Sequence, residues 1–287
     1  MRADVGIIGG SGLYEMEGLS EAREVAIQTP FGGPSDALVI GRLAGQQVAF
    51  LARHARGHRI LPSEINYRAN VYALKSLGVQ WILSVSAVGS LKEAYAPLDI
   101  VIPDQLVDRT TQRQATFFGR GLVAHVAFAH PFCVGLSGAM GAACAAVGAR
   151  HHVGGSYVCI EGPQFSTLAE SRLYRSWGMD LVGMTNLQEA RLAREAEICY
   201  ATLAMVTDYD CWHPQHDSVT VEQILANLGK NAATAQAVLR DVLGRLPIVR
   251  DCECAQALRY ALVTPGHLVP DEVKRDLAPI VGRYLAG

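Results

Sequence analysis

The sequence predicts an α/β fold in which helices flank a central, largely buried sheet. Apolar runs of strand length alternate with helical patterns along the chain, an order typical of this class. In addition, 50% of the 287 residues are hydrophobic, which is enough for a sizeable core. No internal repeat, low-complexity tract or long linker divides the sequence. We therefore expect a single domain over 1–287, with a helical C-terminal region at about 250–287.

The first half of the chain supplies most of the predicted strands. Each is a short run rich in aliphatic residues, and the runs are 5–10, 24–29, 37–41, 47–52, 81–89 and 99–107. One helix interrupts them: Pro62 and Ser63 form a start signal, Gly78 forms a stop signal, and apolar residues recur between them at helical spacing.

In the second half, helices alternate with strands. Predicted helices at 132–148, 167–177 and 186–195 lead into predicted strands at 156–162, 181–185 and 199–208. A capping box of Thr220 and Gln223 then predicts a long helix to Leu243, with Gly244 past its end.

Polar or glycine-rich residues follow six of the predicted strands. These segments are 9–12, 53–54, 86–89, 161–166, 184–185 and 208–210. Ligands of open α/β sheets gather at the carboxyl ends of strands. The sequence therefore predicts one shared site built from these segments.

The overall charge argues against two classes of partner. A net charge of −2 gives no electrostatic case for nucleic acid or for an anionic membrane surface. The N-terminus lacks a charged region followed by an apolar stretch, so we expect no secretory signal. The glycine- and alanine-rich run at 134–149 is too short and too weakly hydrophobic for a membrane span. We expect a cytoplasmic protein.

The seven cysteines are odd in number and mostly lie in apolar contexts, as buried thiols of a cytoplasmic protein do. The exception is the pair Cys252 and Cys254, one residue apart. Two cysteines fall short of the four ligands of a structural zinc site, so we expect no metal site. A bonded or redox-active pair remains an alternative.

Two carboxylates end the apolar run that precedes residue 208, in the stretch MVTDYDCWH. In an extended chain Asp208 and Asp210 would face the same way, which is unfavourable unless one is protonated or something polar lies between them. A protonated carboxyl can donate to a ring nitrogen, and an ionised one can accept from an exocyclic amine. Adenine presents such a pair at N7 and N6, so a 6-aminopurine explains both residues. The alternative is an ordinary strand end followed by an Asx-turn.

Two segments have the chemistry of anion binding. The loop GGSG at 9–12 offers backbone N–H groups and the Ser11 hydroxyl, whereas Glu15 stands where a dinucleotide fingerprint needs its third glycine. Arg53 and His54 are the first polar residues after a core strand, and a guanidinium suits phosphate. A structural turn and a solvated basic loop are the respective alternatives.

Two further segments are weaker signals. The small residues of SAVG at 86–89 let a ligand approach the backbone closely. Phe165 can stack on a flat ring while Ser166 hydrogen-bonds to it. Alternatively, Phe165 belongs to the core and Ser166 caps the next helix.

Together these residues resemble the methylthioadenosine phosphorylase branch of the purine nucleoside phosphorylase family, from about residue 4 to about residue 243. The resemblance is carried by several long, consecutive motifs, which are GIIGGSGL, TPFGGPSDAL, LARHARGH, PSEINYRAN, GSL, DRTTQR, IEGPQFS, MTNLQEARLAREAEICYA and TDYDCW. It implies the fold of that family, a central mixed β-sheet or distorted barrel flanked by helices. It implies a pentosyltransferase reaction in which phosphate displaces adenine from methylthioadenosine.

The resemblance also implies roles for individual residues. The residues implied to bind phosphate are Ser11, Arg53, His54, Ser86, Ala87 and Thr185. Phe165 and Ser166 contact the base, Met184 lies along the ribose, and Val221 and Ile224 line the methylthio group. Asp208 is implied as the proton donor to N7 and Asp210 as the partner of the 6-amino group. His125 matches a residue that reaches the substrate across a trimer interface, so a homotrimer, or a dimer of trimers, is implied. No metal or organic cofactor is implied.

Other activities remain open from the sequence. Gln164 replaces an arginine of the family pattern, which leaves a preference for 6-oxopurine nucleosides or methylthioinosine as the nearest alternative. Relatives for 6-oxopurines tend to carry asparagine where Asp208 stands, which favours the 6-amino substrate. A hydrolytic nucleosidase would not need Arg53 and His54. A regulatory protein without activity and a dehydrogenase are less consistent with the motifs.

Overall fold

The computed structural model describes residues 2–10, 13, 16–214 and 221–285, except for the side chains of 221–225. Within these residues the strands are β1 Val5–Gly9, β2 Ser20–Val25, β3 Leu38–Leu43, β4 Gln46–Ala52, β5 Trp81–Ser90, β6 Ile100–Ile102, β7 Gln105–Arg109, β8 His151–Val153, β9 Ser156–Ile160, β10 Leu181–Gly183 and β11 Cys199–Asp208. The α-helices are α1 Tyr67–Ser76, α2 Val134–Ala146, α3 Leu168–Ser176, α4 Asn186–Glu195, α5 Val221–Arg245, α6 Asp271–Asp276 and α7 Ala278–Leu285.

The strands form one mixed sheet in the order β2-β3-β4-β1-β5-β10-β9-β7, with a branch through β11, β6 and β8. The branch arises at β5. One edge of β5 pairs in parallel with β11 over nearly its whole length, while the other edge pairs first with β1 and then with β10. The predicted α/β class with a central mixed sheet is confirmed. The sheet is not closed into a barrel, because its outer strands β2 and β7 each pair on one side only.

The buried strand β11 shows how the sheet separates two cores. Its successive side chains point to opposite faces. Tyr200, like Ile198 just before the strand, joins a core packed with α1, α4 and α7, whereas Leu203 and Met205 join a core packed with α2 and α5. A strand covered on both faces is apolar almost throughout, as β11 is. Its polar end therefore marks where the chain leaves the core.

Several elements differ from the sequence prediction. The predicted strand 99–107 is two strands, β6 and β7, because Pro103 lacks an N–H for the ladder. Helix α1 begins later than Pro62, after an N-cap at Asn66 whose side chain accepts the Ala69 N–H. Helix α5 continues through Gly244 to Arg245 and stops before Pro247. The Thr220 of the predicted capping box lies outside the described residues. In the described part of the chain, no helix has the length and apolar character that crossing a membrane requires.

Candidate active site

The two predicted carboxylates lie together at the end of β11. Asp208 is the last residue of the strand, and its Oδ1 accepts the Asp210 backbone N–H at 2.8 Å. This bond forms the Asx-type turn that the sequence allowed, with Asp208 rather than Asp210 as the acceptor. Asp210 has a φ of +52°, so the chain turns sharply there. Gly89 of β5 makes room for both, because a Cβ at that position would lie 3.0 Å from Asp208 Oδ1 and 3.4 Å from Asp210 Cβ.

The surroundings of Asp208 raise its pKa above the usual value for an aspartate. Burial raises the pKa of the Asp208 carboxyl, while hydrogen bonds from Thr207 and the Asp210 N–H oppose the rise. The Thr207 hydroxyl oxygen lies 2.6 Å from Asp208 Oδ2 and 3.2 Å from the Val88 carbonyl oxygen. The Thr207 hydroxyl donates to Asp208 and so stabilises the charged carboxylate, against the effect of burial. Burial outweighs these hydrogen bonds, so the pKa of Asp208 lies above that of an exposed aspartate.

Asp210 lies among the residues predicted to contact a base. Burial raises the pKa of Asp210, and the nearby hydroxyls of Ser171 and Ser166 lower it. Neither hydroxyl makes a hydrogen bond of standard geometry with a described atom, so the buried Ser166 oxygen is available to a ligand. The next helix, α3, is capped by Thr167 instead. Phe165 is 47% exposed, which rules out a place in the core.

Arg53 is fully buried and forms an ion pair with Glu189 of α4. Its Nε and Nη2 donate to the two carboxylate oxygens, Nη2 also donates to Ser84 Oγ at 2.7 Å, and Nη1 donates to the Val85 carbonyl at 2.9 Å. Of its five N–H groups, one on Nη1 has no acceptor among the described residues. The guanidinium therefore brings little net charge to the site, since Glu189 balances it.

A buried hydrogen-bond chain extends from Glu189 to Ser86, and the carboxylate sets its direction. Glu189 can only accept, so Tyr200 donates to it at 2.8 Å. The Tyr200 oxygen then accepts from the Asn186 amide nitrogen at 2.7 Å, which turns the Asn186 amide oxygen toward Ser86. Ser86 donates to that oxygen at 2.8 Å. In this arrangement the Ser86 oxygen faces a ligand as an acceptor.

His54 also faces the site as an acceptor. Its Nδ1 lies 2.9 Å from the Ile60 carbonyl oxygen, which can only accept, so the proton of the neutral ring is on Nδ1. Burial lowers the pKa of His54 to about 4, and the charge of Arg53 acts in the same direction. The neutral ring stacks on His58 at 4.3 Å and leaves Nε2 unprotonated.

Thr185 and Met184 lead into the N-terminus of α4, where backbone N–H groups and the helix dipole favour an anion. Arg113 fixes this segment. Its buried guanidinium donates to the carbonyl groups of Met184 and Glu161 and forms an ion pair with the Glu161 carboxylate at 3.1 Å. Arg113 and Glu189 are the two charged residues that the sequence reasoning missed. Each is a single charged residue whose partner is distant in the sequence, so only the folded structure shows its role.

The structure brings most predicted residues together. Ser86 and the half-buried Ala87 line a cavity with Gly10, facing Leu228 and Asn231 of α5. His125 is different, because it is exposed and its backbone N–H donates to the Ala261 carbonyl at 2.9 Å. Among the described residues, no hydrogen bond or ion pair joins His125 to the rest of the site. Ser11 lies outside the described residues, as do the side chains of Val221 and Ile224 in α5.

Comparison with known proteins identifies relatives along nearly the whole chain. Residues 4–244 match the model of the phosphorylase superfamily. The S-methyl-5′-thioadenosine phosphorylase of Koribacter versatilis is 59% identical over 284 residues, which cover 99% of this chain and 97% of the relative. That of Geobacter sulfurreducens is 54% identical over 286 residues, or 99% of this chain and 100% of the relative.

Solved structures give the same result. A methylthioadenosine phosphorylase from an antarctic soil metagenomic library superposes with a TM-score of 0.91 at 51% identity, covering 97% of this chain and 99% of that one. The methylthioadenosine phosphorylase of Schistosoma mansoni, in complex with adenine, superposes with a TM-score of 0.83 at 36% identity, covering 89% and 96%. This chain therefore belongs to the phosphorylase superfamily, within its family of S-methyl-5′-thioadenosine phosphorylases.

Proposed function

We propose that this chain is a pentosyltransferase that catalyses the phosphorolysis of S-methyl-5′-thioadenosine. Inorganic phosphate attacks C1′ of the sugar, the C1′–N9 bond breaks, and the products are adenine and 5-methylthioribose 1-phosphate. The observation that carries the proposal is the buried pair Asp208 and Asp210, side by side at the end of β11, with the pKa of each raised by burial.

The carboxylate pair lowers the barrier by assisting the leaving base. As the C1′–N9 bond stretches, negative charge builds up on the purine ring, and Asp208 relieves it by giving its proton to N7. Asp210 accepts from the 6-amino group, Ser166 adds a hydrogen bond, and Phe165 stacks on the ring. Asp210 would repel the O6 of a 6-oxopurine, which accounts for selectivity toward adenine.

The phosphate region suits a dianion, although Arg53 is already paired with Glu189. Arg53 contributes its one remaining N–H, and the N-terminus of α4 at Thr185 contributes backbone N–H groups. The acceptors His54 Nε2 and Ser86 Oγ match the single hydroxyl of monohydrogen phosphate. Because Glu189 already neutralises Arg53, the phosphate keeps its charge to face the cationic sugar of the transition state.

The remaining assignments follow from the same function. We propose a homotrimer in which His125 of one chain reaches the 5′ end of the substrate of its neighbour, because His125 is exposed and apart from the site of its own chain. Met184, Val221 and Ile224 are assigned to the sugar and methylthio group. Phosphate is a co-substrate, and the reaction needs no organic cofactor. Seven free thiols suit a reducing cytoplasm.

A substrate panel tests the proposal. The values of kcat/KM should be measured at saturating phosphate for methylthioadenosine, methylthioinosine and inosine. We expect methylthioadenosine to exceed the 6-oxo compounds by on the order of 10⁴, because they leave the Asp210 carboxylate unpaired. A preference for either 6-oxo compound would mean that Asp208 and Asp210 do not face the base in this way.

A further inference from the structure

Four cysteines from three separate segments converge far from the carboxylate pair. The sulfur atoms of Cys133, Cys199, Cys252 and Cys254 all lie within 4.8 Å of one another. The Cys252 sulfur is 3.4 Å from that of Cys199 and 3.8 Å from that of Cys133. A disulfide would require about 2.05 Å. The cluster therefore consists of thiols that are close together and not bonded to each other.

Two of the sulfur separations are close to those of a tetrahedral metal site. Zinc binds thiolate sulfur at about 2.3 Å, and four such ligands in a tetrahedron lie about 3.8 Å apart. The two sulfur separations of Cys252 fall at or near this value. Four sulfur ligands in tetrahedral arrangement are typical of zinc or iron–sulfur centres rather than of Mg²⁺ or Ca²⁺.

Regular structure holds the four residues in place. Cys133 directly precedes α2, and its backbone N–H donates to the Tyr200 carbonyl at 2.9 Å. Cys199 is the first residue of β11. Cys252 and Cys254 flank the start of a short 3₁₀ helix, Glu253–Gln256. Cys133, Cys199 and Cys254 are buried and Cys252 is half-buried, so an ion could enter on the side of Cys252.

The positively charged side chain of Arg194 lies near the cluster. Four thiolates around one divalent ion carry a net negative charge, which needs compensation in a buried site. The Arg194 guanidinium is held by the carbonyl groups of Ala127 and His130 and interacts electrostatically with Cys254.

We propose that Cys133, Cys199, Cys252 and Cys254 form a closed tetrathiolate site for a structural zinc ion. Four protein ligands leave no open position for a substrate, so the ion fastens the segment around residues 252–254 to the starts of α2 and β11. Cys199 and Asp208 stand at opposite ends of the ten-residue strand β11, about 30 Å apart at the usual rise per residue. The site is therefore structural and separate from catalysis.

Cobalt titration tests the proposal. The full-length chain, reduced and freed of metal by a chelator, is titrated with Co²⁺. We expect one equivalent to bind with thiolate-to-cobalt charge-transfer bands and the d–d bands of tetrahedral cobalt, and Zn²⁺ to displace it. The proposal would be overturned if these bands were absent in the reduced chain or if Zn²⁺ failed to displace cobalt. It would also be overturned if the chain persisted as a metal-free form in which the four thiols have lost their hydrogens and formed two disulfides.

Two variants make the test specific. Cys252→Ala removes one ligand and should weaken Co²⁺ binding by more than about tenfold, since even the loss of an outer hydrogen bond costs that much. Cys144→Ala removes a buried thiol of α2 outside the cluster and should bind Co²⁺ like the unmodified chain. Zn²⁺ should raise the Tm of the unmodified chain and of Cys144→Ala, but not that of Cys252→Ala. Equal metal binding by both variants would contradict the assignment.

Discussion

At the scale of single residues, Asp208 carries the most specific prediction. Asp208→Asn keeps the shape but cannot supply a proton, so kcat/KM for methylthioadenosine should fall by about 10²–10⁴. Methylthioinosine should lose less, because an amide can donate to N7 and O6. Asp271→Asn, at an exposed position, is the control and should keep full activity. Unchanged turnover of methylthioadenosine by Asp208→Asn would contradict the role of Asp208 as the proton donor.

Glu189 is the residue whose loss should most disturb the site indirectly. Glu189→Gln leaves the Arg53 charge buried without a counter-charge, which should lower the free energy of unfolding by about 3–5 kcal/mol. Glu272→Gln breaks an exposed ion pair with Arg120 and should cost no more than about 1 kcal/mol. Denaturant unfolding of both variants measures the difference. Equal costs would show that the buried pair is not what neutralises Arg53.

At the scale of elements, the contact between β5 and β11 positions the carboxylates. A Cβ on Gly89 would lie 3.0 Å from Asp208 Oδ1 and 3.1 Å from Val182 Cγ1. Gly89→Ala should therefore lower kcat/KM at least about tenfold and the free energy of unfolding by about 1–3 kcal/mol.

The matched control for Gly89→Ala is Gly138→Ala. Gly138 lies in α2, and a Cβ there would meet no atom within 4 Å. The free energy of unfolding should rise by about 0.5–1 kcal/mol, because alanine favours a helix over glycine. Steady-state kinetics and denaturant unfolding check both variants. Full activity in Gly89→Ala would mean that the end of β5 does not constrain Asp208.

The elements also show what sequence patterns can predict. The apolar runs identified β1, β4, β5 and β11 because a buried strand is apolar along its whole length. The short strand β8 was missed because its residues, HHV, carry no such pattern. The partners of β5 follow from packing at long range, so the open branching of the sheet could not be read from any local segment.

The same limit applies to the site. The spacing of Asp208 and Asp210 is a local signal, so the carboxylate pair could be predicted from the sequence. The Arg53–Glu189 pair joins residues 136 positions apart, so the residues near Arg53 in the sequence do not identify its partner. The pair Cys252 and Cys254 seemed to have too few ligands for a metal because Cys133 and Cys199 join it only through the fold.

At the scale of the whole molecule, the buried His54 should make stability depend on pH. Its pKa is about 4 in the folded chain against 6.5 when exposed, so the unfolded chain binds a proton first as the pH falls. Above about pH 6.5 the His54 ring is neutral in both the folded and the unfolded chain, so it adds no pH dependence. As the pH falls from about 6.5 to about 4, the free energy of unfolding decreases by about 3 kcal/mol in total.

His54→Asn isolates this effect, since an amide keeps the donor to Ile60 and does not titrate. The difference in the free energy of unfolding between His54→Asn and the unmodified chain should shift by this amount between pH 6.5 and pH 4. His267→Gln, at an exposed position, is the control, and its free energy of unfolding should change with pH as that of the unmodified chain does. A constant difference for His54→Asn would show that His54 is not kept neutral by burial.

The central claim is that phosphate, and not water, displaces adenine from methylthioadenosine. The most direct measurement follows adenine release with and without inorganic phosphate, while ³¹P NMR follows the phosphate signal. We predict that release requires phosphate and that a sugar 1-phosphate resonance grows in step with adenine. Adenine release at the same rate without phosphate, and without that resonance, would contradict the account and indicate a hydrolase.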